Sequence, residues 1–383
     1  MIYADNASTT KIKYEVLEAM KPFLTDEYAN PSGKYCFADE PQRAIKKSRE
    51  FLADVIHCNS EEIYFTSGGT EANNWAIKGS VLAMPGRKLP HLITDQIEHH
   101  SVINAMQQLA DCDLANVSYV GVPSSGIVQI ADIKKEIKRR TALVSVMAVN
   151  NELGTMQPFK EIGELCSANG ILYHMDAVQG FGKYHYNMNK MKIDLMSVSA
   201  HKFGGPKGVG FLYIRKGVNI LPLLNGGQQE YGMRSGTENV AGIVGMAKAA
   251  DLSYLYAEET NNHLMKIKYG FWSAMQEKFP KLKVNGHQLI SFPTIINIDF
   301  SEYGIRGEEL AEFYNQNNIC VSTGSACDSK SNTPSHVLKA IGLSNDQANS
   351  SVRFSFNERT KIDEIDEIVK VSESAINIFG GRE

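Results

Sequence analysis

The sequence lacks the features that would assign it to several large protein classes. It has no apolar run approaching the roughly 20 residues that cross a bilayer, and its first residues, MIYADNASTT, include neither a basic nor an apolar segment typical of a signal peptide. The six cysteines are scattered over 383 residues without a CxxC pair, which argues against a disulfide framework and favours the reducing cytoplasm. The ten histidines show no metal-ligand spacing, so we predict no metal site.

Charge and nucleotide motifs exclude further classes. The net charge of −4 gives no overall attraction to nucleic acid or an anionic membrane, so we expect direct contact with neither. Neither GxxxxGK[ST] nor GxGxxG occurs, which disfavours a P-loop or a dinucleotide site. Instead, SGGTE at 67–71 lies at a predicted strand-to-helix turn, where free backbone N–H groups and the helix dipole favour an anion. A simple capped helix start explains the same five residues.

From about residue 60 to 215 the sequence alternates between strands and helices. The predicted strands are apolar, with polar residues confined to their carboxyl ends, which is typical of a mainly parallel sheet that is buried on both faces. These strands cover 62–66, 91–95, 141–150, 171–177 and 193–200. Ligands of such sheets bind beyond the carboxyl ends of the strands, so we expect the site there.

The remainder of the chain has a different order of elements. The predicted elements are helical regions at about 237–279, 307–316 and 361–378, and strands at 294–300, 319–322 and 351–357. This order indicates a smaller α+β domain. We therefore predict a large α/β domain over 15–255 and a small domain formed by 1–14 together with 256–383.

Three candidate residues follow predicted strands of the large domain. Lys202 lies between SVSAH and a glycine-rich turn. We expect its amine to be partly desolvated, which suits an amine that forms a Schiff base. A charged lysine on a surface loop explains the same pattern equally well. Asp176 closes an apolar strand and calls for a cationic partner, such as the pyridine nitrogen of a cofactor, or it caps the next turn. His99 could stack on a planar ring and transfer protons, or cap a helix.

Two further candidates belong to the predicted small domain. Cys327 lies in STGSACDSKSNTPS, a run of small polar residues that cannot form a core, which predicts an accessible thiol; an incidental surface cysteine is the alternative. Arg353 alternates with apolar residues on a predicted strand. Its guanidinium suits bidentate binding of a substrate carboxylate, with a cross-strand salt bridge as the alternative.

Ordered motifs over almost the whole chain resemble those of one family. They are YADNASTT, NPSG, FTSGGTEANNWAIKG, EHHSV, VNNELGTMQP, YHMDAVQGFGK, DLMSVSAHKFGGPKGVGFLYIR, GGQQEYGMRSGTENV, STGSACDS and SSVRFSF. The sequence in this respect closely resembles the group I, NifS/IscS-type cysteine desulfurases, which are class V enzymes of the pyridoxal 5'-phosphate (PLP)-dependent transferase fold type I. That fold has a mainly parallel central sheet flanked by helices and a smaller α+β domain.

The resemblance implies a role for each matching residue. Lys202 is the Schiff-base lysine, His99 stacks on the cofactor and transfers protons, and Asp176 pairs with the pyridine nitrogen. Cofactor contacts further include Gly69, Thr70, Asn151, Gln179, Ser199, His201 and Thr237, the last reaching the phosphate in the neighbouring subunit. Arg353 and Asn151 bind the substrate, and Cys327 accepts the sulfur.

The implied activity is the conversion of L-cysteine to L-alanine, with the sulfur passed to Cys327 as a persulfide and then to an acceptor protein. The implied partners are a second copy of the chain, in a homodimer with shared active sites, and a sulfur acceptor of iron–sulfur cluster assembly, tRNA thiolation or DNA phosphorothioation. Another class V activity, such as that of a selenocysteine lyase or an aminotransferase, is the alternative within enzymes. A non-catalytic, partner-binding homologue is the alternative outside them.

Overall fold

Two groups of secondary-structure elements make up the structure, a computed structural model that describes residues 1–84, 89–288, 290–323 and 333–381. The strands are β1 (Ile2–Tyr3), β2 (Ile63–Thr66), β3 (His91–Asp95), β4 (Asn116–Val120), β5 (Thr141–Ser145), β6 (Leu172–Asp176), β7 (Leu195–Ser199), β8 (Gly210–Ile214), β9 (Lys283–Val284), β10 (Ile295–Asp299), β11 (Ile319–Cys320), β12 (Ser322–Thr323) and β13 (Ser351–Ser355). The helices are α1 (Tyr14–Met20), α2 (Pro22–Thr25), α3 (Asp39–Ile56), α4 (Gly69–Leu82), α5 (His100–Asp111), α6 (Ile130–Glu136), α7 (Phe159–Asn169), α8 (Val240–Leu255), α9 (Ala257–Lys278), α10 (Gly307–Gln316), α11 (His336–Ala340), α12 (Asn345–Asn349) and α13 (Ile362–Phe379).

A seven-stranded sheet of order β2-β8-β7-β6-β5-β3-β4 forms the larger group. Neighbouring strands from β7 to β4 pair in parallel, whereas β8 runs antiparallel to both β7 and β2. The predicted mainly parallel sheet is thus confirmed. Because six of the seven strands run in one direction, their carboxyl ends meet at one edge of the sheet, where the candidate residues lie.

Successive residues of each strand pack against opposite layers of helices. In β3, Leu92 belongs to a buried apolar cluster with residues of α4 and α5, whereas Ile93 packs in a second cluster with α3, α7 and α8. Leu143 and Val144 divide in the same way in β5. This alternation explains the continuous apolar runs in the sequence, since a strand that is covered on both faces has no solvent-facing side.

Two predicted elements differ from the structure. The strand predicted over 141–150 ends at Ser145, because the N–H of Met147 is taken by the buried Glu98 side chain rather than by a neighbouring strand. The helical region predicted over 237–279 is two helices, α8 and α9, which meet at Tyr256. Neither glycine nor proline separates the two helices, so the sequence gives little signal of the break.

The smaller group is built on an antiparallel sheet of order β12-β13-β10-β9, joined by a parallel pair, β1 and β11. Its apolar cluster unites Ala4 with residues between Leu264 and Ile376, while Val337 and Leu338 of α11 pack in the core of the larger group. The domain boundaries at residues 14 and 255 stay predictions. Within the described ranges, no helix combines the length and the apolar character that a membrane span requires.

Candidate active site

A cavity of about 550 Å³ lies at the carboxyl edge of the large sheet. Its wall brings together residues that are up to 346 positions apart in the chain (7 to 353). The predicted site residues that line it are Gly69, Thr70, His99, Asn151, Asp176, Gln179, Ser199, His201, Lys202 and Arg353. Most of them come from the ends of parallel strands, and Arg353 comes from β13 of the smaller sheet.

The start of α4 forms one end of the cavity. Gly68 precedes the helix with φ 145°, a conformation that favours glycine, and a Cβ on Gly69 would come within 2.6 Å of Val178 Cγ2. The backbone therefore approaches the neighbouring turn as closely as only glycine allows. The exposed N–H groups of this helix start suit an anion, as the sequence predicts.

Glu71, which also lines the cavity, fixes this turn. Its carboxylate accepts a hydrogen bond from Ser67 N (2.8 Å) and two from Arg234, Nε to Oε1 at 2.8 Å and Nη2 to Oε2 at 3.1 Å. Burial on its own would raise the pKa of Glu71, but these bonds outweigh it and lower the pKa. The carboxylate therefore stabilises the turn as an anion.

Lys202 follows β7 and reaches back across the cavity to the N-terminal segment. Its Nζ donates to the carbonyl oxygens of Ala7 (2.6 Å) and Ser8 (2.9 Å). The side chain is thus directed into the protein and not into solvent, which favours the chemical interpretation of this lysine over the loop-charge alternative.

His201, next to it, contacts Thr9 through Nδ1 (3.1 Å), and burial together with Lys202 and Lys207 lowers the pKa of His201 to about 4. A neutral imidazole at this position can donate or accept a hydrogen bond without carrying charge.

Asp176 ends β6 at the floor of the cavity and is 6% exposed. Its Oδ1 accepts from Val178 N (2.9 Å) and its Oδ2 from Asn73 Nδ2 (2.6 Å). Asp176 therefore caps the turn that follows β6, as the alternative interpretation expects, and its carboxylate also lines the cavity. Nearby, the buried Asn151 Oδ1 and Gln179 Oε1 have no hydrogen-bond partner among the described residues. Because buried polar atoms are rarely left unpaired, these atoms indicate that a polar ligand completes the wall.

His99 is both a cavity residue and a helix cap. It is the N-cap of α5, and its Nδ1 accepts from Ser101 N at 3.1 Å and contacts Ser101 Oγ at 2.7 Å. Burial is the main cause of its lowered pKa; Asp176 acts in the opposite sense, and Lys202 adds to the lowering. The two interpretations left open by the sequence are thus compatible, since capping occupies only one ring nitrogen.

Arg353 forms the opposite wall and is held by three groups. Nη1 donates to Asn151 O (2.8 Å), while Nη2 donates to Asp5 Oδ1 (2.7 Å) and Ser8 Oγ (2.7 Å). The buried Nε has no hydrogen-bond acceptor among the described residues. Arg353 therefore forms a salt bridge with Asp5, as the alternative interpretation expects. Its Nε–H remains available for a ligand.

One predicted residue does not line this cavity, and another lies outside the residues that the structure describes. Thr237 is exposed and is not among the cavity-lining residues of its own chain. It follows the segment that Arg234 ties to Glu71. Cys327 lies outside the described residues. The predicted roles of both stay predictions.

The sequence analysis missed several residues of the wall. They are Ser8, Thr9, Asn73, Ser101, Glu152, Lys207, Ser335 and His336. Asn73 and Ser101 lie inside quoted motifs, but their contacts depend on tertiary structure. Glu152 is buried and accepts from Ser335 Oγ at 2.6 Å. Burial raises the pKa of Glu152 to about 7, against the lowering effects of Ser335 and Arg353.

Comparison with known structures agrees with this fold. The structure superposes on that of a NifS-like protein with a TM-score of 0.91 and 36% identity, covering 98% of each chain. It superposes on SspA in complex with cysteine with a TM-score of 0.82 and 35% identity, covering 94% of this chain and 100% of the other. The predicted fold class, fold type I, is thereby confirmed.

The sequence comparisons define the family. Residues 2–368 match the profile of the aminotransferase class-V family, and this chain belongs to that family. The cysteine desulfurase IscS of Clostridium botulinum is 44% identical over 370 residues, which are 97% of this chain and 93% of that protein. The resemblance read from the motifs is thus confirmed.

Proposed function

We propose that this protein is a PLP-dependent cysteine desulfurase that converts L-cysteine to L-alanine and transfers the sulfur to one of its own cysteines as a persulfide. The observation that carries the proposal is that Lys202, Asp176 and His99 line one cavity in a chain 44% identical to a cysteine desulfurase. Family membership alone leaves the other class V activities open.

The residues of the cavity fit PLP. The helix start at Gly69 offers N–H groups for a phosphate, and Asp176 offers a carboxylate for a ring nitrogen. Asn151 Oδ1 and Gln179 Oε1, which have no hydrogen-bond partner among the described residues, can accept hydrogen bonds from a ligand. Thr70, Ser199 and His201 lie around the same end. PLP, when bound, supplies an electron sink that stabilises negative charge at the substrate Cα.

Lys202 is the proposed covalent anchor. Its Nζ already points into the cavity, held by two backbone carbonyl groups. With cofactor and substrate in the cavity, the amine of Lys202 would be placed to take the proton from Cα, because a desolvated lysine amine is a competent base.

Arg353 and Asn151 are the proposed substrate contacts. The guanidinium is fixed by Asp5, Ser8 and the carbonyl of Asn151, so it is pre-positioned for the substrate carboxylate. This contact would fix the carboxylate end of the substrate at the wall formed by β13.

Cys327 is the proposed acceptor. Its thiolate attacks the substrate sulfur, the carbon–sulfur bond breaks with its electron pair left on the substrate carbon, and that carbon gains a proton. The products are alanine and a Cys327 persulfide, so that no external oxidant or reductant is required.

Three further proposals concern the assembly and its surroundings. We propose a homodimer with shared active sites, in which Thr237 of the partner subunit reaches the cofactor phosphate; its position outside its own cavity supports this. A sulfur-acceptor protein takes the persulfide onward. The five cysteines in the described part of the chain are free thiols, which supports a reducing cytoplasm.

The test is turnover of L-cysteine by purified protein loaded with PLP. We expect alanine and sulfide in the presence of a thiol reductant, both abolished by Cys327→Ser with the cofactor absorbance intact. Cys112→Ser, at an exposed thiol, is the matched control and should keep activity. Unchanged turnover in Cys327→Ser would favour an aminotransferase or selenocysteine lyase, and a protein that stays colourless with PLP would favour the non-catalytic alternative.

A further inference from the structure

A chain of hydrogen bonds beneath the cavity joins two residues of the candidate site. Asn73, on α4, donates from Nδ2 to Asp176 Oδ2 (2.6 Å) and to Ser101 Oγ (2.8 Å). Ser101 in turn contacts His99 Nδ1 through its hydroxyl at 2.7 Å and through its backbone N–H at 3.1 Å. Asn73 is 1% exposed and Ser101 8%, so water is largely excluded from this chain.

The direction of these bonds is fixed by groups that can only donate or only accept. The N–H of Ser101 can only donate, so the His99 Nδ1 that faces it must offer a lone pair. The amide of Asn73 must turn its NH₂ toward Asp176, since a carboxylate only accepts. That amide also donates to Ser101 Oγ, which leaves the serine O–H to donate to Nδ1.

We infer that Asn73 and Ser101 are positioning residues that hold His99 as the neutral tautomer with its proton on Nε2, the ring nitrogen left for the cavity. Nε2 makes no hydrogen bond with any described residue, and His99 lines the cavity. This inference rests on the proposed function, because it concerns what His99 presents to bound cofactor and substrate.

The surroundings of the ring act in the same direction. The ring sits at the N-terminus of α5, where the helix dipole disfavours a cation. Of the charged and titratable groups around it, Lys202 and His100 disfavour the imidazolium and Asp176 favours it. Burial is the largest influence and lowers the pKa of His99.

The tautomer limits the chemistry of His99. With hydrogen on Nε2, the basic lone pair is on Nδ1, which is turned away from the cavity and faces two donors from Ser101. His99 can therefore stack on a ring and donate a hydrogen bond into the cavity, but it cannot take a proton from a group inside it. Proton removal from the substrate then falls to Lys202, and the proton-transfer role predicted for His99 narrows to hydrogen-bond donation.

The direct test is the ¹⁵N NMR spectrum of holoenzyme with ¹⁵N-labelled histidine side chains, with His99→Asn used to assign the signal. We expect an unprotonated Nδ1 and a protonated Nε2 that persist between about pH 6 and 8, the range in which an ordinary histidine titrates. A ring with hydrogen on Nδ1, or a doubly protonated ring near neutral pH, overturns the inference without requiring any further variant.

Two variants test the positioning role. Ser101→Ala removes the hydroxyl at 2.7 Å and leaves only the longer contact of the backbone N–H, at 3.1 Å, to hold Nδ1. A fraction of the His99 rings should then adopt the other tautomer, with turnover of L-cysteine lowered about tenfold, the effect of losing one hydrogen bond near the reacting groups. Ser101→Thr keeps the hydroxyl and should restore both the wild-type spectrum and turnover within about twofold. Wild-type NMR behaviour in Ser101→Ala would remove Ser101 from the proposal.

Failure of this inference is distinguishable from failure of the proposed function. The tautomer is measured without substrate, so a protein that binds PLP and keeps Nε2–H but does not desulfurate cysteine contradicts the function alone. A cysteine desulfurase whose His99 carries its proton on Nδ1 contradicts the inference alone.

Discussion

The two walls of the cavity are held in different ways. On the sheet wall, His99 and Asp176 lie at ends of elements and are fixed by backbone N–H groups and uncharged side chains, while the turn before Gly69 is fixed by Glu71 and its partner Arg234. On the opposite wall, Arg353 is fixed by an ion pair to Asp5, 348 residues away in the chain, and lies beside the buried carboxyl of Glu152.

The two walls should therefore respond differently to pH. Hydrogen bonds to backbone groups are set by the fold and carry no net charge, so they hold His99 and Asp176 over a wide pH range. Glu71 acts in the same way near neutral pH, because its lowered pKa keeps it ionised. The opposite wall depends on buried charges whose balance changes with protonation, since leaving one partner unpaired is costly. We therefore expect changes on the sheet wall to affect the chemical step, and changes on the opposite wall to affect substrate binding and pH dependence.

The largest expected effect comes from Lys202→Ala on the sheet wall. Loss of the covalent anchor should lower turnover of L-cysteine by at least about 10³-fold and let PLP be removed by dialysis, as followed by absorbance. Lys190→Ala, at an exposed lysine, is the control and should keep both properties. Retained turnover in Lys202→Ala would contradict the anchor role.

A smaller effect is expected from Asp5→Asn on the opposite wall. The neutral amide leaves Arg353 without its ionic partner, so the KM for L-cysteine should rise about tenfold while kcat changes little. Steady-state kinetics measure this, with the exposed Asp26→Asn as control. A fall in kcat at constant KM would show that Asp5 acts on the chemical step and would break the distinction between the walls.

An effect on stability, with none required on turnover, is expected from Glu152→Gln. Burial raises the pKa of Glu152 from 4.5 to about 7, so the folded state binds an extra proton between these values. The contribution of Glu152 to wild-type stability is therefore fully present below about pH 4.5 and is lost as pH rises through 7, by up to about 3 kcal/mol. The variant has no such loss, so it should gain stability relative to wild type on going from about pH 5 to about pH 8.

Urea unfolding at both pH values measures this difference. Glu164→Gln, at an exposed glutamate, is the matched control and should follow the wild-type pH dependence. A constant stability difference between Glu152→Gln and wild type at the two pH values would mean that Glu152 ionises in the folded protein as it does in the unfolded chain.

The sequence predicts the sheet wall better than the opposite wall, for a physical reason. Asp176 and Lys202 follow apolar strands, and strand ends of a parallel sheet converge, so their proximity follows from local patterns alone. The partners Asp5 and Glu152 carry no such signal, because a lone acidic residue in a loop is as often solvated as paired. The antiparallel direction of β8 is equally invisible, since strand patterns do not encode direction.

For residues of the sheet wall, the sequence does not predict which groups donate and which accept hydrogen bonds. Whether His99 stacks or caps could not be decided from EHHSV, and the structure shows that it does cap and that it lines the cavity. Which nitrogen faces the cavity depends on Ser101 and on Asn73, 28 residues from that serine. Such contacts are properties of the packed molecule.

The segment over residues 5–10 determines when during folding the site can form. It is fixed by Ser355, whose Oγ accepts from Ala7 N at 2.9 Å, and it supplies the carbonyl groups that hold Lys202. The ordering of this segment must therefore wait until it meets β13, and closing a loop of about 350 residues is a slow, entropically costly event. Until these two distant segments have met, the cavity has no groups to hold Lys202 in place.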